Sequence, residues 1–322
     1  MNNTPTSHMN NTRILICGSI AFDTIMTFEG RFKEHILPDQ VHILNVAFLV
    51  PTLRKDWGGC AGNIAYSLNM LGGTPIPMAT IGHDANGYVE RFNALGIDTT
   101  HLRPIGSEFT AQAFITTDQD DNQITAFHPG AMNHAHINKL SDAQHIALGI
   151  IAPDGRDGML EHAEQFAQAG IPFVFDPGQG LPMFGGTELN RFLDLAQYAA
   201  VNDYEAQMLC EKTGKTLEQI ASKLDALFVT RGAQGSWVFT QGQRHTIACV
   251  KAEQIADPTG CGDAYRGGLL YGLACGMPVV DAAKLASLMG ALKIAHKGGQ
   301  NYQFSREHIA SEFAAAFGKQ PW

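Results

Sequence analysis

The pattern of apolar and polar positions predicts alternating strands and helices through most of the chain. Short apolar runs closed by glycine, at residues 14–18 and 78–82, are typical of buried parallel strands. Between these two runs, residues 63–71 have apolar positions at helical spacing, and the glycine pair that follows them ends the helix. Five further strands are predicted, with helices between them, at 145–151, 173–175, 198–201, 226–229 and 236–239. This alternation favours an α/β fold with a doubly wound, mostly parallel sheet flanked by helices.

Two stretches depart from this alternation and predict a small β-sheet lid. Residues 24–56 contain two prolines and many β-branched and aromatic residues, which indicates irregular or antiparallel strands outside the main sheet. Residues 110–127 alternate on both sides of the polar turn at 118–122, which predicts a hairpin. We expect the lid strands, from about 24–56 and 100–130, to pair as one antiparallel sheet. They would belong to a single domain spanning 13–322, after a disordered tail at 1–12.

Composition excludes several classes of function. The chain has 31 acidic and 22 basic side chains and a net charge of −9, unlike the basic surface of a nucleic-acid-binding protein. No apolar run approaches the ~20 residues of a membrane helix, and the N-terminus lacks the pattern of a signal peptide. The six cysteines form no CxxC pair, and we expect reduced thiols in a cytoplasmic protein. We therefore expect neither nucleic acid nor membrane as a partner.

The strongest chemical signal is the segment 257–268, DPTGCGDAYRGG. Three backbone amides can converge there at a helix N-terminus and form an anion hole for a transferring phosphoryl group, those of Gly260, Cys261 and Gly262. Asp263 lies in the first helical turn and could take the proton from an attacking hydroxyl. It could equally be an aspartate that caps a helix after a glycine turn.

Two motifs follow the predicted strands 198–201 and 226–229. Asn202 and Glu205 are three residues apart at a helix start, and their oxygens could orient magnesium-bound waters or form a plain helix cap. The second motif is TxGxxG, formed by Thr230, Gly232 and Gly235. Its glycines could let the main chain approach a ligand or could simply form a turn.

A further group of polar and glycine residues lies in the N-terminal part. Asp23 stands where the first strand is expected to end, while Gly58, Gly59 and Asn63 stand at a helix start. Ligands of open α/β sheets bind beyond the carboxyl ends of the strands. A carboxylate and an amide in that position could bind a sugar diol.

In this order along the chain, the motifs resemble those of the ribokinase-like (PfkB) family of sugar and nucleoside kinases, over about residues 13–322. The resemblance implies a ribokinase-like α/β domain with a β lid that transfers the γ-phosphoryl group of ATP, with magnesium, to a substrate hydroxymethyl group. It implies the following roles: substrate binding by Asp23, Gly58, Gly59 and Asn63; magnesium-bound waters at Asn202 and Glu205; nucleotide binding by Thr230, Gly232, Gly235 and Gly298; and proton abstraction by Asp263. Family members often use a monovalent cation such as K⁺, for which the sequence assigns no ligands.

The chain departs from the family's second signature at Pro258, Cys261 and Arg266. Because Cys261 contributes a backbone amide, its side chain should leave the anion hole intact. Arg266 stands where the family often has a small or apolar residue. It could contact a phosphate or form an ordinary salt bridge on its helix.

The identity of the acceptor is less sharply indicated. Residues 127–132, FHPGAM, look like the corresponding stretch of bacterial adenosine and nucleoside kinases. The lid residues Ile25, Phe114 and Phe127 could sandwich a purine, or they could be lid core or a contact between two lids. We favour adenosine or a broader range of nucleosides, phosphorylated at the 5′-hydroxyl, over ribose or fructose. A non-catalytic nucleoside sensor is disfavoured by the intact Asp263, and the protein is expected to be a monomer or homodimer.

Overall fold

The computed structural model describes residues 12–36, 45–120 and 122–322, so the expected tail lies outside the described residues apart from Thr12. Thirteen strands are present in the described part: β1 Arg13–Cys17, β2 Ala21–Thr27, β3 Thr52–Gly58, β4 Thr74–Gly82, β5 Leu102–Ile105, β6 Ala111–Thr117, β7 Gln123–His128, β8 Ile146–Ile151, β9 Phe173–Phe175, β10 Tyr198–Asn202, β11 Ala226–Thr230, β12 Ser236–Thr240 and β13 Gln243–Ile247. The helices of the same part are α1 Phe32–His35, α2 Cys60–Met70, α3 Asn86–Ala94, α4 Arg156–Ala169, α5 Gly186–Leu195, α6 Asp203–Thr213, α7 Leu217–Ala221, α8 Cys261–Ala274, α9 Val279–Ile294 and α10 Arg306–Phe317.

Nine strands form the main sheet, in the order β13-β12-β11-β10-β9-β8-β1-β4-β5. Pairing is parallel from β5 through β11, and only the β11–β12 and β12–β13 pairs at one edge are antiparallel. The predicted doubly wound, mostly parallel sheet is therefore confirmed. The short edge strand β13 was not predicted, because its residues are mostly exposed and carry little apolar signal.

The remaining four strands form a second sheet in the order β3-β2-β6-β7, which is the predicted lid. Two details of that prediction were wrong. The β2–β6 pair is parallel, so the lid is a mixed sheet rather than an antiparallel one. Residues Leu102–Ile105 also do not belong to the lid, because they pair with β4 at the edge of the main sheet.

The core lies on both faces of the main sheet, as the near-continuous apolar strands require. Along β1, Ile14 and Ile16 pack with α2, α8, α9 and α10, whereas Leu15 and Cys17 pack with the layer of α4 to α7. No described helix has the length and apolar character needed to cross a membrane.

Close contact between α2 and α8 positions the candidate site. Gly267 of α8 faces Ser67 and Leu68 of α2, and a Cβ on that glycine would lie 2.6 Å from the Ser67 Cβ. Only glycine therefore allows the two helices to approach this closely. Their N-terminal ends, which hold Asn63 and Asp263, come together as a result.

Candidate active site

A cavity of about 550 Å³ lies between the lid and the carboxyl ends of the main-sheet strands. Lid strands contribute Asp23 and Phe127, and the N-terminal ends of α2 and α8 contribute Asn63 and Asp263. This is the edge where ligands of open α/β sheets bind. Four residues predicted from widely separated parts of the sequence thus line one cavity.

Asp263 is held in place by a chain of hydrogen bonds. Asn63 donates from Nδ2 to Asp263 Oδ2 at 2.8 Å. Gln300 Nε2 in turn donates to Asn63 Oδ1 at 3.1 Å and to the Tyr88 hydroxyl at 2.6 Å. The Tyr88 hydroxyl donates to the Gly58 carbonyl at 2.7 Å. Gln300 and Tyr88 were missed from the sequence, because they act through Asn63 and belong to none of the motifs.

The environment of Asp263 favours a carboxyl group that changes protonation near neutral pH. Its pKa is raised to about 7, chiefly by burial and in part by the nearby Asp176 carboxylate. The hydrogen bond from Asn63 and the charge of Arg266 act in the opposite direction. A carboxylate with a pKa near the working pH can both hold and release a proton, which a general base requires.

The turn before α8 places glycine amides at the cavity. Gly260 precedes the helix with φ of 76°, a left-handed conformation that favours glycine. Gly260 and Gly262 line the cavity, whereas the Cys261 amide donates to the Pro258 carbonyl at 3.1 Å. Of the three amides predicted for an anion hole, the two glycines are therefore those at the cavity wall.

Asp23 lies within lid strand β2, and not at the end of the first main-sheet strand as expected. Its pKa is raised to about 6, chiefly by burial and in part by the neighbouring Asp56 carboxylate. A Cβ on Gly58 would lie 2.6 Å from Asp23 Oδ2, so the glycine leaves room for this carboxylate. Gly59 has φ of 86° and faces the Ser19 carbonyl, where a side chain has no space. The glycine pair thus shapes the wall around Asp23.

Only one of the predicted lid aromatics reaches the cavity. Asp23, Ala113 and Phe127 are register partners and therefore share one face of the lid. Phe114 follows Ala113 in the strand, so its side chain points to the opposite face, where it is 40% exposed. The structure does not bring Phe114 into the site, and Ile25 does not line the cavity either. Sequence reasoning missed two apolar lining residues, Met132 and Met183.

Asn202 and Glu205 form a reciprocal cap at the start of α6. Asn202 Oδ1 accepts from the Glu205 amide at 2.7 Å, and Glu205 Oε2 accepts from the Asn202 amide at 2.8 Å. Burial raises the pKa of Glu205. Asn202 and Glu205 therefore form the helix cap, which was one of the two roles expected for them. The cap uses one Glu205 carboxylate oxygen and leaves the other for a further partner.

The predicted nucleotide-binding motif continues this edge of the sheet. Thr230 ends β11 beside Asn202 at the end of β10. Gly232 has φ of 52° and open space where a side chain would be, which suits a close ligand. Gly235 has φ of 81°, but a Cβ there would lie 2.0 Å from the Ile247 carbonyl, so this glycine is required by chain packing. Gly298 donates its amide to Asp257 Oδ2 at 2.8 Å and so holds its loop against the turn before α8.

Arg266 forms a buried salt bridge. Its Nε and Nη2 donate to the two carboxylate oxygens of Asp176 at 3.0 and 2.9 Å, and Nη2 also donates to the Ala200 carbonyl at 3.2 Å. Although burial opposes the charge, the Asp176 carboxylate raises the pKa of Arg266. The sequence left open whether Arg266 contacts a phosphate or forms a salt bridge, and in the structure it forms a salt bridge.

The protein donors at the site could hold magnesium only if phosphates and waters completed its coordination. No group of three or more His, Cys, Asp or Glu side chains in the described ranges could hold a metal ion. The oxygens of Asn202 and Glu205 are of the type that Mg²⁺ prefers, and Mg²⁺ commonly uses one or two carboxylates together with substrate phosphates and waters. The donor set is therefore compatible with magnesium carried by a nucleotide.

Comparison with known proteins identifies relatives that agree on one family of kinases. A model of the pfkB family of carbohydrate kinases matches residues 20–305. The structure of a Burkholderia thailandensis nucleoside kinase in complex with inosine is 54% identical in sequence, with a TM-score of 0.87, over 95% of this chain and 99% of that one. The same kinase in complex with ADP-inosine gives 56% identity and a TM-score of 0.85, over 96% and 97% of the two chains. A Methanocaldococcus jannaschii nucleoside kinase is 29% identical over 294 residues, which cover 89% of this chain and 92% of that protein. The chain therefore belongs to the pfkB family of carbohydrate kinases and is an ATP-dependent kinase.

Proposed function

We propose that this kinase transfers the γ-phosphoryl group of ATP to the 5′-hydroxyl of a nucleoside. The observation that carries the proposal is the position of the Asp263 carboxylate, fixed by Asn63 at 2.8 Å beside the amides of Gly260 and Gly262. A proton acceptor and anion-stabilising donors at one cavity wall are the parts that phosphoryl transfer needs.

The cavity walls favour a nucleoside over a free sugar. Asp23 and Asn63 offer a carboxylate and an amide, which suit the ribose hydroxyls. Phe127, Met132 and Met183 offer an aromatic face and two thioethers, which suit the flat apolar surface of a base. The 54% identical relative was solved with inosine, which supports a purine nucleoside such as inosine or adenosine. A free sugar has no group that would fill the apolar part.

The proposed reaction follows from the positions of Asp263 and of the two glycine amides. Asp263 accepts the proton of the 5′-hydroxyl as its oxygen attacks the γ-phosphorus, and the bond between that phosphorus and the oxygen of ADP breaks. The amides of Gly260 and Gly262 bind the oxygens of the transferring group. Magnesium, when bound, neutralises phosphate charge, and Asn202 and Glu205 would hold it through waters. The lid excludes water around the reacting groups and so limits hydrolysis of ATP.

The nucleotide is assigned to the shelf formed by Thr230, Gly232 and the loop around Gly298. Thr230 lies beside Asn202 at the ends of adjacent strands, and the Gly298 amide is bonded to Asp257 in the turn before α8. All six cysteines are free thiols, which supports a reducing compartment such as the cytoplasm.

An ADP-release assay with ATP and magnesium tests the proposal on a panel of adenosine, inosine, guanosine, cytidine, ribose and fructose. We expect turnover with nucleosides and background rates with the free sugars. Turnover on free sugars alone would keep the kinase chemistry but overturn the nucleoside assignment. Tight nucleoside binding without turnover on any acceptor would instead favour a sensor.

A further inference from the structure

Lys293 of α9 is a fully buried cation that the reaction outlined above does not use. Its exposed fraction is 0%, and lysine is almost never this buried unless its charge is paired. Arg266 is the other buried cationic side chain of the described residues, and Asp176 neutralises it directly. The ion pairs found among the described residues include none with Lys293. Its ammonium must therefore be stabilised in another way.

Backbone carbonyls take the place of a counter-ion. Lys293 Nζ donates to the Asp257 carbonyl at 2.8 Å and to the His296 carbonyl at 3.1 Å. Burial lowers the pKa of Lys293, and negative charge on neighbouring groups, including Asp257 and Asp263, counters this effect. The ammonium thus lies in a carbonyl-lined site within an acidic environment. Carbonyl oxygens are also the ligands that replace the hydration shell of a K⁺ ion.

The two carbonyls belong to segments that must stay in register for the anion hole to form. Asp257 begins the turn that leads to Gly260, and its carboxylate accepts from the amides of Thr259 at 2.9 Å and Gly298 at 2.8 Å. His296 follows the end of α9 and begins the loop that contains Gly298. A cation between these carbonyls therefore fixes the turn before α8 to the end of α9.

We propose that the Lys293 ammonium is a built-in monovalent cation that positions the anion-hole turn, so that this kinase works without added K⁺. Lys293 is a positioning residue, because its Nζ contacts Asp257 and His296 rather than a reacting atom. The proposal rests on the proposed role of the Gly260 and Gly262 amides in phosphoryl transfer. An ammonium group on a flexible stem is a compact charge with three donors, which suits such a site.

The first test measures turnover of the wild-type enzyme with ATP, magnesium and its best acceptor in choline chloride and in KCl of equal ionic strength. We expect the same turnover in both salts. A wild-type enzyme that requires K⁺ would overturn the proposal, because its cation site would then not be filled by Lys293.

The second test uses Lys293→Met, which keeps the unbranched side chain up to the ε position and removes the ammonium group. We expect turnover to fall by about 10²-fold in choline chloride, the effect of displacing one anion-hole amide from the transferring group, with partial recovery in KCl or NH₄Cl but not in LiCl. Lys284→Met, a matched change at a more exposed position of the same helix, should have no such salt dependence. Loss of activity in Lys293→Met without recovery by any cation would assign Lys293 a merely structural role. If this variant does not fold, Lys293→Gln replaces it with the same two outcomes.

A binding measurement separates this proposal from the choice of substrate. The melting temperature of Lys293→Met should rise in KCl relative to choline chloride, because a cation that binds only the folded state stabilises it. The wild-type protein should have no such difference. This result is independent of any acceptor, so a failed nucleoside assay would not affect it. Equal melting curves of the variant in both salts would contradict the proposal.

Discussion

Replacement of Asp263 by asparagine tests the proposed base with little change in shape. In the wild-type structure Asn63 donates from Nδ2 to Asp263 Oδ2 at 2.8 Å. An asparagine at position 263 can accept the same hydrogen bond through its carbonyl oxygen, so the chain from Asn63 to Gln300 should persist. What is lost is the ability to take a proton. A positioned general base contributes about 10²–10⁴-fold, so we expect kcat to fall by that factor, equivalent to about 3–5 kcal/mol in the barrier.

The assay is ADP release with saturating ATP, magnesium and nucleoside, combined with calorimetric titration of the nucleoside alone. We expect the Kd of the nucleoside to change little, because the ribose contacts assigned to Asp23 and Asn63 remain. Asp157→Asn, an exposed aspartate in the first turn of α4, is the matched control and should retain normal turnover. Near-normal kcat in Asp263→Asn would remove Asp263 from the base role. A change confined to KM would make it a binding residue instead.

The protonation of Asp263 adds a second signature to the same variant. Because burial raises its pKa to about 7, the base is protonated and inactive at lower pH, and wild-type kcat/KM should fall as pH decreases through 7. A raised carboxyl pKa also means that the folded state binds the extra proton between the unfolded value of 3.8 and about 7. Wild-type stability should therefore decrease as pH rises through that window. Asp263→Asn should melt higher than wild type at pH 8 and lose this advantage below pH 4. A pH-independent difference in melting temperature would contradict the assigned environment.

Three further predictions concern the lid, the buried ion pair and magnesium. Phe127→Ala should raise the KM for nucleosides about 10-fold, because base stacking is lost. Phe114→Ala, on the opposite lid face, should leave the KM unchanged. Equal effects of the two variants in initial-rate measurements would argue against stacking. Arg266→Met should lower the free energy of unfolding, measured by urea titration, by about 3–5 kcal/mol, because Asp176 would be left as an unpaired buried charge. A free energy of unfolding equal to that of wild type would show that the pair is not needed for folding. Removal of magnesium by EDTA should abolish turnover and its readdition should restore it, whereas activity in excess chelator would exclude a metal-dependent reaction.

The sequence predicted the elements that carry a strong burial signal. The central strands are apolar runs buried on both faces, and their positions were confirmed to within a few residues. The edge strand Gln243–Ile247 is mostly exposed, so local pattern did not distinguish it from a loop. Residues Leu102–Ile105 were predicted among the lid strands, because local pattern does not show that they pair with β4. The parallel pairing of β2 with β6 joins segments far apart in the chain, which no local pattern encodes.

The candidate site was predictable where a residue contacts the cavity directly. Asp263 and Asn63 lie in recognisable glycine-rich motifs, and the structure brings them together. Phe114 was assigned to the site because alternation defines two faces of a strand without specifying which one is turned inward. Gln300 bonds to the Asn63 side chain and Lys293 to backbone carbonyls, and no local sequence pattern encodes either contact.

The position of the new phosphate tests the central claim most directly. Inosine is incubated with ATP, magnesium and enzyme, and the product is examined by proton-coupled ³¹P NMR. A phosphate on the 5′-oxygen couples to two methylene protons and gives a triplet, whereas a phosphate on a ring hydroxyl couples to one proton and gives a doublet. We predict a triplet that grows in step with ADP. A doublet, or ADP without a phosphorylated nucleoside, would contradict the account.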